Sequence, residues 1–155
     1  MPRLPSVETM MANDEASRAL GIELIDQDEG RAVTRMTVRE DMVNGHGIAH
    51  GGFVFSLADS AFAFACNTYD RVTVAAGLDV TFLRSARLGD ILIATAVERA
   101  RRGKSGIYDV TVARQTDGGR EVVAEFRGRS RVIGGTILDG EAVVGPGTVQ
   151  TTAEE

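Results

Sequence analysis

The hydrophobic and polar positions repeat with different periods along the chain, and those periods predict its elements. From Gly51 to about Tyr69 the run Phe53-Val54-Phe55-Ser56-Leu57-Ala58-Asp59-Ser60-Ala61-Phe62-Ala63-Phe64-Ala65-Cys66 is apolar on nearly every face. Its length and alanine content favour helix over strand. A helix apolar all round is one surrounded by protein. From Ser6 to about Leu20 the pattern predicts a second helix. Ser6 caps it, Glu8 lies in its first turn, Met10, Met11 and Ala19-Leu20 form a buried stripe, and Gly21 stops it. Between the helices, Ile22-Glu23-Leu24-Ile25 and Ala32-Val33-Thr34-Arg35-Met36-Thr37-Val38 flank the turn signal Asp28-Glu29-Gly30, which predicts a hairpin. Arg39 to Ala49 has no period, carries Asn44-Gly45 and Gly47, and is expected to be a loop.

After the apolar helix, Val72–Arg84, Asp90–Arg101, Gly106–Gln115 and Glu121–Ile133 read as four long strands. Their turns are Arg87-Leu88-Gly89, Arg102-Gly103-Lys104-Ser105 and Asp117-Gly118-Gly119. Such short connections make antiparallel neighbours. The economical arrangement is an α+β fold: an antiparallel sheet of about six strands wrapped around one central apolar helix, with an extra N-terminal helix. One sheet covers only part of a helix that is apolar on all faces, so a partner subunit is expected to cover the rest. The 155 residues suit one domain, expected over 1–138, with a flexible tail over 139–155.

Composition narrows the function more than the fold. Hydrophobic residues make up 43% and charged residues 25%, which is ordinary for a globular chain. A formal net charge of −5 argues against general nucleic-acid binding, and still allows a local basic patch. The single cysteine, Cys66, permits no intrachain disulfide and needs no oxidising compartment. Met1-Pro2-Arg3-Leu4-Pro5 does not read as a signal peptide, and no stretch approaches the roughly 20 apolar residues of a membrane span. A cytoplasmic protein without a membrane partner is expected.

Two features carry candidate chemistry. The segment Asn44-Gly45-His46-Gly47-Ile48-Ala49-His50-Gly51-Gly52 feeds directly into the apolar helix. Glycines at a helix start let another molecule approach the backbone. The first amides there lack an internal partner and sit at the positive end of the helix dipole. They suit a carbonyl oxygen that becomes an oxyanion, although small residues also serve a plain loop-to-helix joint. The second feature is Asp59, the only charged residue between His50 and Asp70. A lone buried carboxylate is costly, so it either pairs with a buried donor or serves as base or nucleophile. Asp59 follows Gly51 by eight residues, about 12 Å along one helix. Both cannot readily touch one thioester carbon from the same chain. Two antiparallel copies of the helix would bring Gly51 of one chain near Asp59 of the other, which predicts a dimer with two composite sites.

Other residues weigh less. His46 and His50 lack a third clustered ligand, so no metal site is expected. Cys66 sits in the apolar helix without a basic neighbour and reads as core packing. Arg101-Arg102-Gly103-Lys104 falls on a turn, and Arg127, Arg129 and Arg131 alternate on one face of the last strand. These residues are either a solvated face or contacts for the phosphates of coenzyme A.

At these residues a resemblance emerges. His50-Gly51-Gly52 followed by Ser56-Leu57-Ala58-Asp59-Ser60-Ala61 resembles the signature of the phenylacetate-pathway thioesterases of PaaI type, which are hotdog-fold enzymes. The likeness extends to Ala19-Leu20-Gly21-Ile22, to Asp79-Val80-Thr81-Phe82-Leu83-Arg84, and from Phe126-Arg127-Gly128 to Gly134-Gly135-Thr136, covering about Ala16 to Ile137. It implies that Asp59 activates water or attacks the thioester, and that the Gly51 amide is the oxyanion donor. It also implies that Asn44 places substrate or water, and that His50 contacts the thioester region or orders the loop. The family commonly forms homotetramers built from dimers. Many members have proline after the arginine that matches Arg84, where this chain has Ser85. The expected substrate is phenylacetyl-CoA or a hydroxylated aryl-acetyl-CoA, with medium-chain acyl-CoA as the alternative. Coenzyme A is part of the substrate, and no separate cofactor is implied. Its expected contacts are Arg84, Arg101, Arg102, Lys104 and Arg129. A hotdog hydratase is disfavoured because no histidine follows His50. A non-catalytic acyl-CoA binder remains the rival from another class.

Overall fold

The computed structural model describes residues 4–139, so the expected tail lies, from residue 140 on, outside the described residues. Two short helices open the chain, α1 (Pro5–Asn13) and α2 (Glu15–Ala19). The single helix expected over Ser6–Leu20 is broken at Asp14. There the backbone leaves helical space, and the Asp14 side chain accepts from the Ser17 amide at 2.9 Å to cap α2. Ser6 is not a cap. Pro5 opens α1, where its missing N–H costs nothing, and Ser6 is buried one residue further in. The Ser6 hydroxyl donates to the Asn67 carbonyl at 3.0 Å, a long-range contact that capping rules do not reveal. Gly21, at φ +69°, stops α2 where expected.

The hairpin forms as β1 (Glu23–Asp28) and β2 (Arg31–Thr37), followed by a 3-10 turn at Glu40–Met42 and the central helix α3 (Gly51–Cys66). Four strands follow: β3 (Thr73–Phe82), β4 (Ile91–Arg102), β5 (Ser105–Thr116) and β6 (Gly119–Val132). All six pair antiparallel in the order β1-β2-β4-β5-β6-β3. The sheet wraps around α3, which packs against β2, β4 and β5 most closely. This is the hotdog fold. Among the described residues no helix is long and apolar enough to cross a membrane.

The helix buries Leu57, Ala58, Ala61, Phe62 and Ala65. Opposite them lie Leu92, Ala94, Val110, Val112, Ala124 and Phe126 of the sheet. Phe62 is wedged against Tyr108 and Phe126 at ring separations of 5.6 and 5.8 Å. Gly128 on β6 makes room for it: a Cβ there would meet the Phe62 ring at 2.8 Å. The helix ends three residues before the expected Tyr69 because Asn67 intervenes. Its side-chain amide donates to the Ala63 and Thr73 carbonyls at 2.8 and 2.9 Å, and its oxygen accepts from the Thr73 amide at 2.9 Å. Asn67 thereby ties the end of α3 to the start of β3.

The far face of α3 is only half-covered. Phe53, Phe55, Ser56, Asp59, Ser60 and Ala63 keep intermediate exposure. The two sheet edges also differ. β1 is short, skips Ile25 at a bulge, and carries Glu23, Asp26 and Asp28, features that discourage further pairing. β3 is ten residues long with Asp79 as its one charge, and its outer side is open.

Candidate active site

The loop before α3 is clamped at several points. Asn44 Oδ1 accepts from the amides of His46 at 2.9 Å and Ile48 at 3.4 Å, and the Asn44 amide donates to the Ile48 carbonyl at 2.8 Å. The His50 amide donates to the Met42 carbonyl at 2.7 Å, and that of Ala49 to the Ala86 carbonyl at 2.8 Å. The helix therefore starts from a fixed position. His50 is its N-cap: its Nδ1 accepts from the Gly52 amide at 2.9 Å, which places the imidazole proton on Nε2. The Phe53 amide donates to the His50 carbonyl at 3.0 Å. No hydrogen bond among the described residues uses the Gly51 amide. Gly51 lines a cleft of about 330 Å³, together with Asn44, Phe82, Arg84 and Ser85 among others. A Cβ on residue 51 would meet the tip of the Phe82 ring at 3.0 Å, so a larger residue here needs the ring to give way. Asn44 lines the same cleft while its side-chain oxygen is held by the loop.

Asp59 lies on the half-covered face of α3. Burial pushes its carboxyl above the ordinary aspartate value, and the nearby charge of Asp14 adds to the rise. No cation or hydrogen-bond donor among the described residues reaches it to lower it. Asp59 does not line the cleft that Gly51 lines. The chain thus carries an uncommitted backbone amide at Gly51 and an uncommitted carboxyl at Asp59 on one helix, in separate places, as the eight-residue spacing requires. Cys66 is buried and burial pushes its thiol up to about 12, which fits packing and not nucleophilic work. Among the described residues no group of three His, Cys, Asp or Glu side chains could hold a metal ion.

The basic residues do not form one patch. Arg84 lines the Gly51 cleft and pairs with Glu121 at 3.3 Å. Ser85 follows it without the family's proline. The adjacent backbone is held by the amides of Leu83 and Arg84, which both donate to the Val123 carbonyl at 2.8 and 3.2 Å. Arg101, Arg102, Arg129 and Arg131 line a separate cleft of about 430 Å³. Arg129 and Arg131 stand opposite Gly77 and Val74 of β3, about 17 to 26 Å along the strand from Phe82. Arg101 is partly engaged, with its guanidinium 3.6 Å from the Tyr69 ring centroid and 3.4 Å from Glu98. Glu98 also accepts from the hydroxyls of Tyr69 and Tyr108 at 3.2 and 3.0 Å. Lys104 lines a small pocket beside Tyr69 and Cys66. Arg127 is bound bidentately by Asp109 at 2.7 and 2.9 Å, and Arg129 reaches Asp79 at 3.1 Å.

The sequence did not reveal Phe82, whose ring sets the approach to Gly51, or the chain Asp14–Ser17–Ser60 beside Asp59. Ser17 Oγ donates to Asp14 Oδ2 at 2.6 Å and lies 2.8 Å from Ser60 Oγ. Phe82 stood within a strand pattern that its β propensity already explained. The Ser17–Ser60 contact spans 43 residues and has no local signal.

Comparison with known proteins identifies the family and the fold. The thioesterase superfamily model matches residues 46–120, from the loop before α3 to the start of β6. The acyl-coenzyme A thioesterase PaaI of Escherichia coli is 47% identical over 137 residues, covering 88% of this chain and 95% of that protein. The structure of the E. coli PaaI protein from the phenylacetic acid degradation operon superposes with a TM-score of 0.82 at 46% identity, covering 84% of this chain and 93% of that one. The phenylacetic acid degradation protein PaaI of Thermus thermophilus, in a mutant form, superposes with a TM-score of 0.72 at 36% identity, covering 77% of this chain and all of that one.

Proposed function

The chain belongs to the PaaI-type thioesterases of the hotdog fold, and from that premise we propose that it hydrolyses phenylacetyl-CoA or ring-hydroxylated aryl-acetyl-CoA to the free acid and CoA. The observation that carries this reading is the pair of uncommitted groups on α3, the Gly51 amide and the Asp59 carboxylate. The thioester carbonyl oxygen accepts from the Gly51 amide, which stabilises the negative charge that develops on attack. Asp59 either takes a proton from the attacking water or attacks the carbonyl carbon itself, giving an anhydride that water then opens. In both routes the C–S bond breaks, the thiolate of CoA leaves and is protonated, and the acyl group leaves as a carboxylate. Asn44 steadies the carbonyl or the water through its NH₂ end, and His50 holds the helix start. The proposed chemistry uses no cofactor.

The site is completed by a second chain. Pairing the open β3 edge with its copy in antiparallel sense sets the Thr73 end of one strand beside the Phe82 end of the other. The cleft of Arg101, Arg102 and Arg129 then approaches the partner's Gly51 and Arg84, a track suited to the phosphates of CoA, with Lys104 at its margin. The half-covered face of α3 supports the same pairing, with dimers joining into a tetramer. We place the activity in the cytoplasm, in keeping with a lone thiol and a CoA substrate.

The test is release of free CoA thiol from a panel of acyl-CoAs by the parent, Asp59→Asn and Asp59→Ala. Both variants should lose at least about 100-fold in kcat, as expected when a general base or nucleophile is removed. Undiminished turnover in both would take Asp59 out of the mechanism. An inactive parent that still binds acyl-CoA would identify a binding protein instead.

A further inference from the structure

We propose that Glu121 is a positioning residue for the CoA half of the substrate: together with a bulge in β6 it holds the Arg84 guanidinium in place for the diphosphate before the thioester binds. The inference rests on the thioesterase reading above and adds groups that act through Arg84. Arg84 is the one cation among the described residues that line the Gly51 cleft. The diphosphate is the charge nearest the thioester along CoA, so it is the one that a cation sharing a cleft with Gly51 meets. Arginine suits it, because its planar fork matches phosphate oxygens two at a time.

The hold begins in the backbone. Val112 of β5 pairs with Ala124 and Ala113 with Val122, which leaves Val123 of β6 without a partner on β5. Such a bulge re-aims the groups of its strand and recurs beside active sites. Here the Val123 carbonyl accepts from the amides of Leu83 and Arg84 at 2.8 and 3.2 Å, just past the end of β3. The Val122 carbonyl accepts from Arg84 Nη1 at 3.0 Å, and Glu121 Oε1 lies 3.3 Å from Arg84 Nε. Three consecutive residues of β6 thus grip one arginine at its amide, its Nη1 and its Nε. Nη2 has no partner among the described residues and is left for a ligand. Glu121 is held in turn. Arg114 Nη2 donates to Glu121 Oε2 at 3.4 Å, and Arg114 Nη1 donates to Asp90 Oδ2 at 3.5 Å. Asp90 Oδ2 also accepts from the Arg87 amide at 2.8 Å. One exposed ion pair contributes little, whereas an alternating network of Arg84, Glu121, Arg114 and Asp90 fixes a geometry. An exposed arginine ordered in advance spares the rotamer freedom that binding would otherwise cost.

The test is kcat/KM for phenylacetyl-CoA divided by kcat/KM for phenylacetyl-pantetheine, which lacks every phosphate, so that the folded fraction of each protein cancels. Glu121→Ala should lower this ratio about fivefold, through a raised KM for phenylacetyl-CoA at unchanged kcat. Glu121→Gln keeps an oxygen for Arg84 Nε and should stay within about twofold of the parent. A role of charge alone predicts otherwise: losing the carboxylate would then draw phosphate more strongly, and equally in both variants. Arg84→Ala should lower the ratio by about fivefold or more, and Glu121→Ala added to it should change nothing further. A ratio that Glu121→Ala leaves unchanged or raises overturns the proposal. So does an equal loss in the Gln and Ala variants, or a Glu121→Ala effect that persists without Arg84. Each of these leaves the thioesterase reading standing. A parent that turns over neither thioester overturns both.

Discussion

At the scale of single residues, Asp59 opposes the stability of the fold that carries it. Its carboxyl titrates above the ordinary aspartate value of 3.8 because burial and Asp14 disfavour the charge. A raised folded-state pKa contributes stability below the unfolded value, and that contribution is lost as pH rises through the folded one. Asp59→Asn should therefore melt at a higher temperature than the parent at pH 7, with the gap closing below about pH 4. A thermal melt at the two pH values reads this, and an equal or lower melting temperature at pH 7 would show that a partner group neutralises Asp59 in the assembled protein. Asp59 and Gly51 were legible in the sequence because each breaks a pattern, a charge in an apolar run and a glycine pair at a helix start. Ser17 and Ser6 were not, because their partners Ser60 and Asn67 lie 43 and 61 residues away and leave nothing irregular in the local sequence.

At the scale of elements, periodicity located every strand and the central helix, and long-range contacts fixed their ends. The apolar pattern alone ran on to Tyr69. The side chain of Asn67 stops the helix at Cys66 by taking over the Ala63 carbonyl and both backbone groups of Thr73. The N-terminal helix was read as one because Asp14 is compatible with a helix pattern, and its capping of α2 depends on where Ser17 is held. Gly128 shows the same limit inside a strand: the reason for glycine is the Phe62 ring against its backbone. Gly128→Ala should destabilise by about 1–3 kcal/mol through overpacking. Urea unfolding should show this as a lowered midpoint with an unchanged slope. An unmoved midpoint would mean that Phe62 has a second comfortable rotamer.

At the scale of the whole molecule, an incompletely covered central helix was legible, since one sheet cannot cover a helix that is apolar on all sides. Which strand forms the open edge was not, because edge order depends on topology: β3, third in the chain, lies outermost beside β6. A composite site predicts complementation. Gly51→Pro removes the amide hydrogen at a helix position that accepts proline, and Phe82→Leu beside it makes room for the ring. That double variant and Asp59→Ala should each be inactive alone. Refolded together in equal amounts they should recover about a quarter of parental turnover, since half the dimers are mixed and each has one intact site. A mixture as inactive as its components would place the whole reaction within one chain. The unequal edges carry one more consequence, best seen as polymer chemistry. A monomer with two reactive ends makes a fibre, and one with a single reactive end can only terminate. With β1 bulged and acidic and β3 alone open, the proposed pairing makes each chain monofunctional for strand addition: joining two β3 edges would consume the growing end of both partners and leave a sheet of about twice six strands that cannot propagate.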